Sequence, residues 1–181
     1  MLFSHDTELT LRAAGALINS DRIDGEQLGD QAALDTYLGG YGWTGRRDHD
    51  DAELVAVHAL RTRLGRIWEC ADDEERAVEQ VNALLADTGA SPWLTRHPEM
   101  PEWHLHLASV RDPLAQRMGA EMAMALADLI RVGELRRLKL CAAPDCTAVV
   151  MDLSRNRSRI FCDTRNCGNR QHVAAYRKRH R

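Results

Sequence analysis

The sequence predicts a mainly helical protein that carries a short β-hairpin and ends in a small zinc finger with four cysteine ligands. Apolar residues recur at helical spacing through most of residues 7–130. A strand-like alternation interrupts this pattern within residues 91–107. Four of the five cysteines form two close pairs within residues 141–167. We therefore expect a helical body followed by a compact metal-binding tail.

The helices of the body are predicted from apolar periodicity together with start and stop signals at their ends. Aspartates are suited to helix starts, where they accept backbone N–H groups and favour the positive end of the helix dipole. Asp6 or Thr7 is expected to begin the first helix, and Asp112 followed by Pro113 the last. The expected helices cover residues 7–19, 31–38, 51–70, 73–88 and 113–130.

Two arms of a hairpin are expected at residues 93–95 and 103–107, because prolines around them exclude a continuous helix. Alternation places Trp103, Leu105 and Leu107 on one face, and His104 and His106 on the other, open face. Two histidines on one strand face are able to bind a metal or a small molecule, or to form a solvated, hydrogen-bonded pair. If an effector pocket exists, we expect it here, beside Met122 of the following helix.

The cysteine spacing predicts a zinc site. Cys141 and Cys146 form one pair, fifteen residues separate them from the second, and Cys162 and Cys167 complete it. Four thiolates are the ligand set of a structural zinc ion and leave no open position for a substrate. Two disulfides are the alternative, but the first residues lack the basic and apolar regions of an export signal. We expect a cytoplasmic protein with one Zn²⁺ per chain.

The zinc finger is expected to be treble-clef-like or ribbon-like, with a ββα order. Its first strand is predicted at residues 147–151 and its second at residues 159–161. The connecting loop carries Arg155, Arg157 and Arg159 at or near its end. A helix over residues 166–179 would place Cys167 at its N-terminus, where the dipole favours a thiolate.

Charge divides the chain into an acidic body and a basic tail. Residues 137–181 hold eleven Lys/Arg and three Asp/Glu, a net charge of +8, whereas the preceding residues carry −11. A basic tail of this kind points to nucleic acid or another polyanion as its partner. No run of eighteen apolar residues occurs, so we expect no membrane span.

The tail resembles the CGNR zinc finger, which is named for the tetrapeptide that stands here at residues 167–170. The resemblance also includes residues 152–159 and 173–177. Residues 7–135 resemble more loosely the bacterial ABATE domain that accompanies this finger in stress-induced transcription regulators, through residues 103–107 and the helix after them. The resemblance implies two domains, residues 1–135 and 136–181, in a DNA-binding transcription regulator.

Basic side chains of the finger are the candidate nucleic-acid contacts. Arg170, Arg177 and Arg181 recur on one helix face and Lys178 is their neighbour, in addition to the loop arginines. Nine of the eleven basic residues in the tail are arginines, which suit bidentate contacts with phosphate or guanine. The alternative is a solvated basic face that offsets the charge of the zinc-bound thiolates.

One small finger offers few contacts, so we expect a homodimer formed through the body, which could also sense a small-molecule effector. Two other functions stay open. The protein could be a zinc-stabilised module that binds RNA or another protein, or an enzyme with a site near His104 and His106. No nucleophile–base pair or phosphate loop supports the enzyme, and we expect none.

Overall fold

The computed structural model describes residues 3–97 and 100–180 of the chain. It confirms a mainly helical fold with a short β-hairpin and a C-terminal cluster of four cysteines. The helices are α1 (His5–Asn19), α2 (Gln31–Gly40), α3 (Asp51–Glu69), α4 (Glu74–Asp87), α5 (Leu114–Arg131) and α6 (Cys167–Arg179). The strands are β1 (Trp93–His97), β2 (Met100–His106), β3 (Leu138–Leu140) and β4 (Val149–Met151), and a 3₁₀ turn spans Leu135–Arg137. No helix among these residues is long and apolar enough to cross a membrane.

Aspartates begin three helices in the middle of the body. Asp30, Asp50 and Asp73 cap α2, α3 and α4, and each side chain accepts a backbone N–H from the first turn. Such a hydrogen bond stabilises the helix by about 1 kcal/mol, because it satisfies a backbone N–H that otherwise has no partner. These local signals therefore account for where three of the helices begin.

Two helix starts differ from the prediction. α1 begins one residue after Ser4, whose hydroxyl accepts the Thr7 N–H at 3.2 Å, so neither Asp6 nor Thr7 is the cap. α5 begins after Pro113, because the Asp112 carboxylate accepts the Ser109 N–H at 2.8 Å and is used in the preceding turn.

The main core lies where α5 packs against α1, α3 and α4. Trp68 of α3 is its largest fully buried side chain, and Met118 and Met122 of α5 are also fully buried. Burial of each large apolar side chain stabilises the fold by about 1.5–3 kcal/mol. Met118 and Met122 therefore serve the main core.

The hairpin β1–β2 has the predicted alternation, but its faces are exposed in the opposite sense. Leu94 pairs directly with Leu105, and Thr95 pairs with His104. Trp103 and Leu105 are 64% and 39% exposed, whereas His104 and His106 are half-buried. The expectation that the histidine face is open was wrong. The apolar face is the exposed one, because no other part of the described body packs against it.

The second hairpin joins the body to the finger. β4 packs on α1 and β3 packs on α3, and Leu138, Val149 and Met151 belong to the main core. Asn19 of α1 extends the hairpin, since its side chain accepts the Val149 N–H at 2.8 Å and donates to the Val149 carbonyl at 3.0 Å. The start of the tail is thus rigidly joined to the helices.

The strand pairing in the finger was predicted incorrectly. β4 pairs antiparallel with β3, and residues 159–161 form no strand. The ammonium group of Lys139 in β3 donates to the carbonyls of Arg157 and Arg159 at 2.7 and 3.0 Å. The Ile160 carbonyl accepts the Ala142 N–H at 2.8 Å. The segment before Cys162 is therefore held at the hairpin by the Lys139 side chain and one backbone hydrogen bond, without a strand ladder.

Candidate metal centre and basic surface

Four cysteine side chains converge at the end of the second hairpin. Cys141 directly follows β3, and Cys146 lies in the turn that leads to β4. Cys162 lies in the next loop, and Cys167 is the first residue of α6. Their four sulfur atoms all lie within 4.8 Å of one another, and all but Cys146 are buried.

The spacing of the sulfurs fits one zinc ion. The Cys162 Sγ atom lies 3.7 Å from that of Cys146 and 3.5 Å from that of Cys167. A tetrahedral ion bound at about 2.3 Å would place the sulfurs roughly 3.8 Å apart, whereas a disulfide needs about 2.05 Å. None of the cysteines forms a disulfide. The predicted zinc site is therefore confirmed, and the disulfide alternative is not.

Backbone groups favour the thiolate form of Cys141, whereas burial and the neighbouring thiols raise the pKa of Cys167 to about 12. The Cys162 N–H donates to the Cys141 Sγ atom at 3.4 Å. Burial opposes ionisation of Cys141, but N–H groups of Ala143 and Cys162 lower the pKa of its thiol. The Arg170 guanidinium also lies 3.7 Å from the Cys167 sulfur. Four protein ligands fill the coordination shell, so the ion that these residues hold is structural.

Two family models match the chain. Residues 137–180 match the CGNR zinc finger, and residues 11–133, more than half of the chain, match ABATE, described as a "putative stress-induced transcription regulator". The chain belongs to the ABATE family. Neither description is that of an enzyme. A search of curated proteins found no match.

In this ABATE-family protein a buried carboxylate shapes the loop after β4, which we call the arginine loop (residues 152–158). Asp152 is fully buried and accepts hydrogen bonds from the Lys139 ammonium at 2.6 Å and the Ser154 hydroxyl at 2.5 Å. Burial favours the neutral acid, but these bonds outweigh it and lower the pKa of Asp152 to about 2. Sequence reasoning missed this pair, because Lys139 and Asp152 carry no motif of their own.

Three of the candidate arginines are held by ion pairs within the protein. Arg157 lies 3.3 Å from Glu134, Arg159 pairs with Asp163, and Arg170 pairs with Asp145 of the Cys141–Cys146 turn. The Arg157 contact fixes the arginine loop to the turn before β3, and the Arg170 contact fixes the start of α6 to the Cys141–Cys146 turn. We infer that Arg157 and Arg170 mainly position the finger and are less available to an external phosphate, whereas the exposed partner of Arg159 leaves that side chain open to exchange.

Four other cations, in the arginine loop and α6, are exposed, and they form no hydrogen bond or ion pair with the residues that the structure describes. Arg155 lies at the tip of the arginine loop, and Arg177, Lys178 and Arg179 form the last turn of α6. We call this set the free cations. Arg179 was not among our predicted contacts, although it continues the basic run that Arg177 begins. The predicted contact Arg181 lies outside the described residues.

The two cavities found in the described residues are not lined by the predicted effector residues. The Nε2 atoms of His104 and His106 lie 3.2 Å apart, and Glu121 of α5 is close enough for its pKa to depend on His104. Burial raises the pKa of Glu121 to about 7. Met122 is fully buried in the main core. Two cavities found in the described residues are lined by other side chains, so an effector site at His104 and His106 stays a prediction.

Proposed function

We propose that this regulator binds DNA through its zinc finger, and that the free cations make the phosphate contacts. The main support is the position of α6, which begins at a zinc ligand and then extends away from the protein surface. Cys167 is the one buried residue of this helix within residues 167–179. A basic helix fixed at one end and solvated along its length is suited to enter a groove of nucleic acid.

The dimensions of α6 support a duplex partner. Its thirteen residues span about 20 Å at 1.5 Å per residue. The major groove of B-form DNA admits a helix, whereas the deep and narrow major groove of A-form RNA does not. Val173 and Tyr176 are 41% and 57% exposed, and they offer apolar contacts beside the basic turn. These features favour duplex DNA over RNA as the ligand.

The test of this proposal is equilibrium binding of the zinc-loaded protein to labelled duplex DNA, duplex RNA and single strands of the same sequence. Binding to duplex DNA should be tightest. The free cations should give a slope of about −3 to −4 in log K against log salt, since each phosphate contact contributes roughly 0.9. Tighter binding to RNA would support the RNA-binding alternative, and no binding to any probe at low salt would contradict the proposal.

We further propose that a second copy of the chain packs on the apolar face of the hairpin β1–β2. Leu94 and Trp103 are each 64% exposed and Leu105 is 39% exposed. The chain exposes 10491 Å² in total, about 1,700 Å² more than a compact monomer of this mass. The excess includes the solvated helix α6 as well as the hairpin, and a standard interface needs only about 800 Å² per partner. Two copies would also present two fingers to adjacent half-sites.

Sedimentation of the zinc-loaded protein at micromolar concentration should show a dimer. Combined Leu94→Glu and Trp103→Glu substitutions should give a monomer, because they place carboxylates in an apolar interface. Val55→Glu is the matched control, since Val55 is 65% exposed on α3, outside the hairpin. A wild-type monomer, or a dimer that survives the paired substitutions, would contradict this interface.

A further inference from the structure

A cleft lies at the junction between the helical body and the zinc finger. Its volume is about 220 Å³. One wall is α1 with Arg12 and Ala16, and another is β4. Tyr41 closes the side that follows α2, and the loop with Arg159 and Cys162 closes the side toward the metal. Both family-matched segments therefore contribute to one cavity.

The polar groups in this cleft favour an anion. Arg12 is exposed, and it forms no ion pair or hydrogen bond with any residue in the described part of the chain. Arg159 pairs with Asp163, but that carboxylate is 81% exposed and also lines the cleft. Exchange of this partner for a ligand carboxylate would cost little, because exposed pairs are worth about 0–1 kcal/mol.

Tyr41 is a third polar group, and it lies near Arg12. Burial raises the pKa of the Tyr41 phenol, and the positive charge of Arg12 opposes that rise. The hydroxyl is therefore protonated at neutral pH and able to donate. Its oxygen makes no hydrogen bond within the described residues. Two guanidinium groups and a phenol O–H are donors that suit a carboxylate.

The rest of the cleft is small and apolar. Gly15 and Ala16 lie on the α1 side, and Val150 and Met151 lie on the β4 side. Ligand sites commonly combine such walls with a few convergent polar groups. We propose that this cleft binds a small organic carboxylate, whose charged end lies between Arg12 and Arg159 and whose apolar part lies against Ala16 and Met151.

Occupation of the cleft has a consequence for the finger. Cys162 lines the cavity and is a zinc ligand, and α6 begins at the neighbouring ligand Cys167. A bound carboxylate would draw α1 and the metal-bearing loop together and change the orientation in which α6 is held. This regulatory consequence rests on the proposed DNA binding, whereas the ligand site itself does not.

Benzoate and its neutral analogue benzamide are suitable probes for the site. In the zinc-loaded full chain without DNA, about 10 mM benzoate should raise the Tm by about 3–5 °C if its Kd is about 1 mM. Benzamide should have little effect. Arg12→Gln should abolish the benzoate shift, while Arg66→Gln, a matched loss of an exposed arginine on α3, should retain it. The zinc content of both variants verifies that they are folded.

Three results would overturn the site: no shift with benzoate, an equal shift with benzamide, or an undiminished shift in Arg12→Gln. The regulatory consequence is tested separately by DNA affinity with and without benzoate. A change in affinity of about tenfold, absent in Arg12→Gln, supports it, and an unchanged affinity overturns it. Because the first measurement contains no DNA, failure of the ligand site and failure of the proposed DNA binding are distinguishable.

Discussion

Replacement of Cys162 by serine should remove the zinc ion and unfold α6 together with the arginine loop. Three thiolates cannot complete the tetrahedral site, and structural zinc supplies most of the folding free energy of small fingers, about 10–16 kcal/mol in isolated peptides. Zinc content should fall from one per chain to near zero. Far-UV circular dichroism should lose the signal of the thirteen residues of α6.

The effect should extend into the body, because Leu138, Val149 and Met151 belong to the main core. We expect the free energy of unfolding to fall by at least about 4 kcal/mol, which is exceptional for a single substitution. Cys70→Ser is the matched control, since Cys70 is buried in α3's C-terminal cap, outside the metal site. A Cys162→Ser protein that keeps an ordered α6 would refute a zinc-dependent finger.

Substitution of Arg155, Arg177 and Lys178 by glutamine should cause the largest loss of DNA affinity that leaves the fold intact. The loss of three phosphate contacts should reduce the slope of log K against log salt by about 2.7 and weaken binding by about two orders of magnitude near 0.1 M salt. Stability should change little, because these side chains are exposed and make no described contacts. Fluorescence anisotropy across a salt series measures both quantities.

The matched control removes the same charge from the body, through glutamine at Arg66, Arg76 and Arg131. All three side chains are exposed on α3, α4 and α5. If the affinity for DNA depends only on the net charge of the protein, both triple variants should lose affinity equally. That outcome, or a finger variant with an unchanged slope, would show that the free cations are a solvated surface.

The features that could be predicted from sequence are those whose cause is local. The four zinc ligands follow from residue type and spacing, since thiolates in close pairs need only two turns to meet. Asp30, Asp50 and Asp73 begin helices because each reaches an N–H three residues away. These interactions are present within a single turn of chain.

The features that escaped prediction depend on contacts between distant residues. The pairs Arg157–Glu134 and Arg170–Asp145 divide the arginines into held and free groups, which no spacing reveals. The partner of β4 was missed for the same reason, since Lys139 takes up the Arg159 carbonyl and the Ala142 N–H takes up the Ile160 carbonyl of the predicted strand. The exposure of the hairpin faces depends on where α5 lies, and alternation alone cannot decide it.

DNA binding by the finger is tested most directly by an NMR titration of the zinc-loaded, isotope-labelled protein with a short DNA duplex. If the finger is the DNA-binding surface, the resonances that shift should belong to α6 and to the arginine loop around Arg155. Most resonances of α2–α4 should stay unchanged, apart from those affected by slower tumbling of the complex. Shifts concentrated in the acidic helices, with α6 unaffected, would contradict DNA binding through the finger.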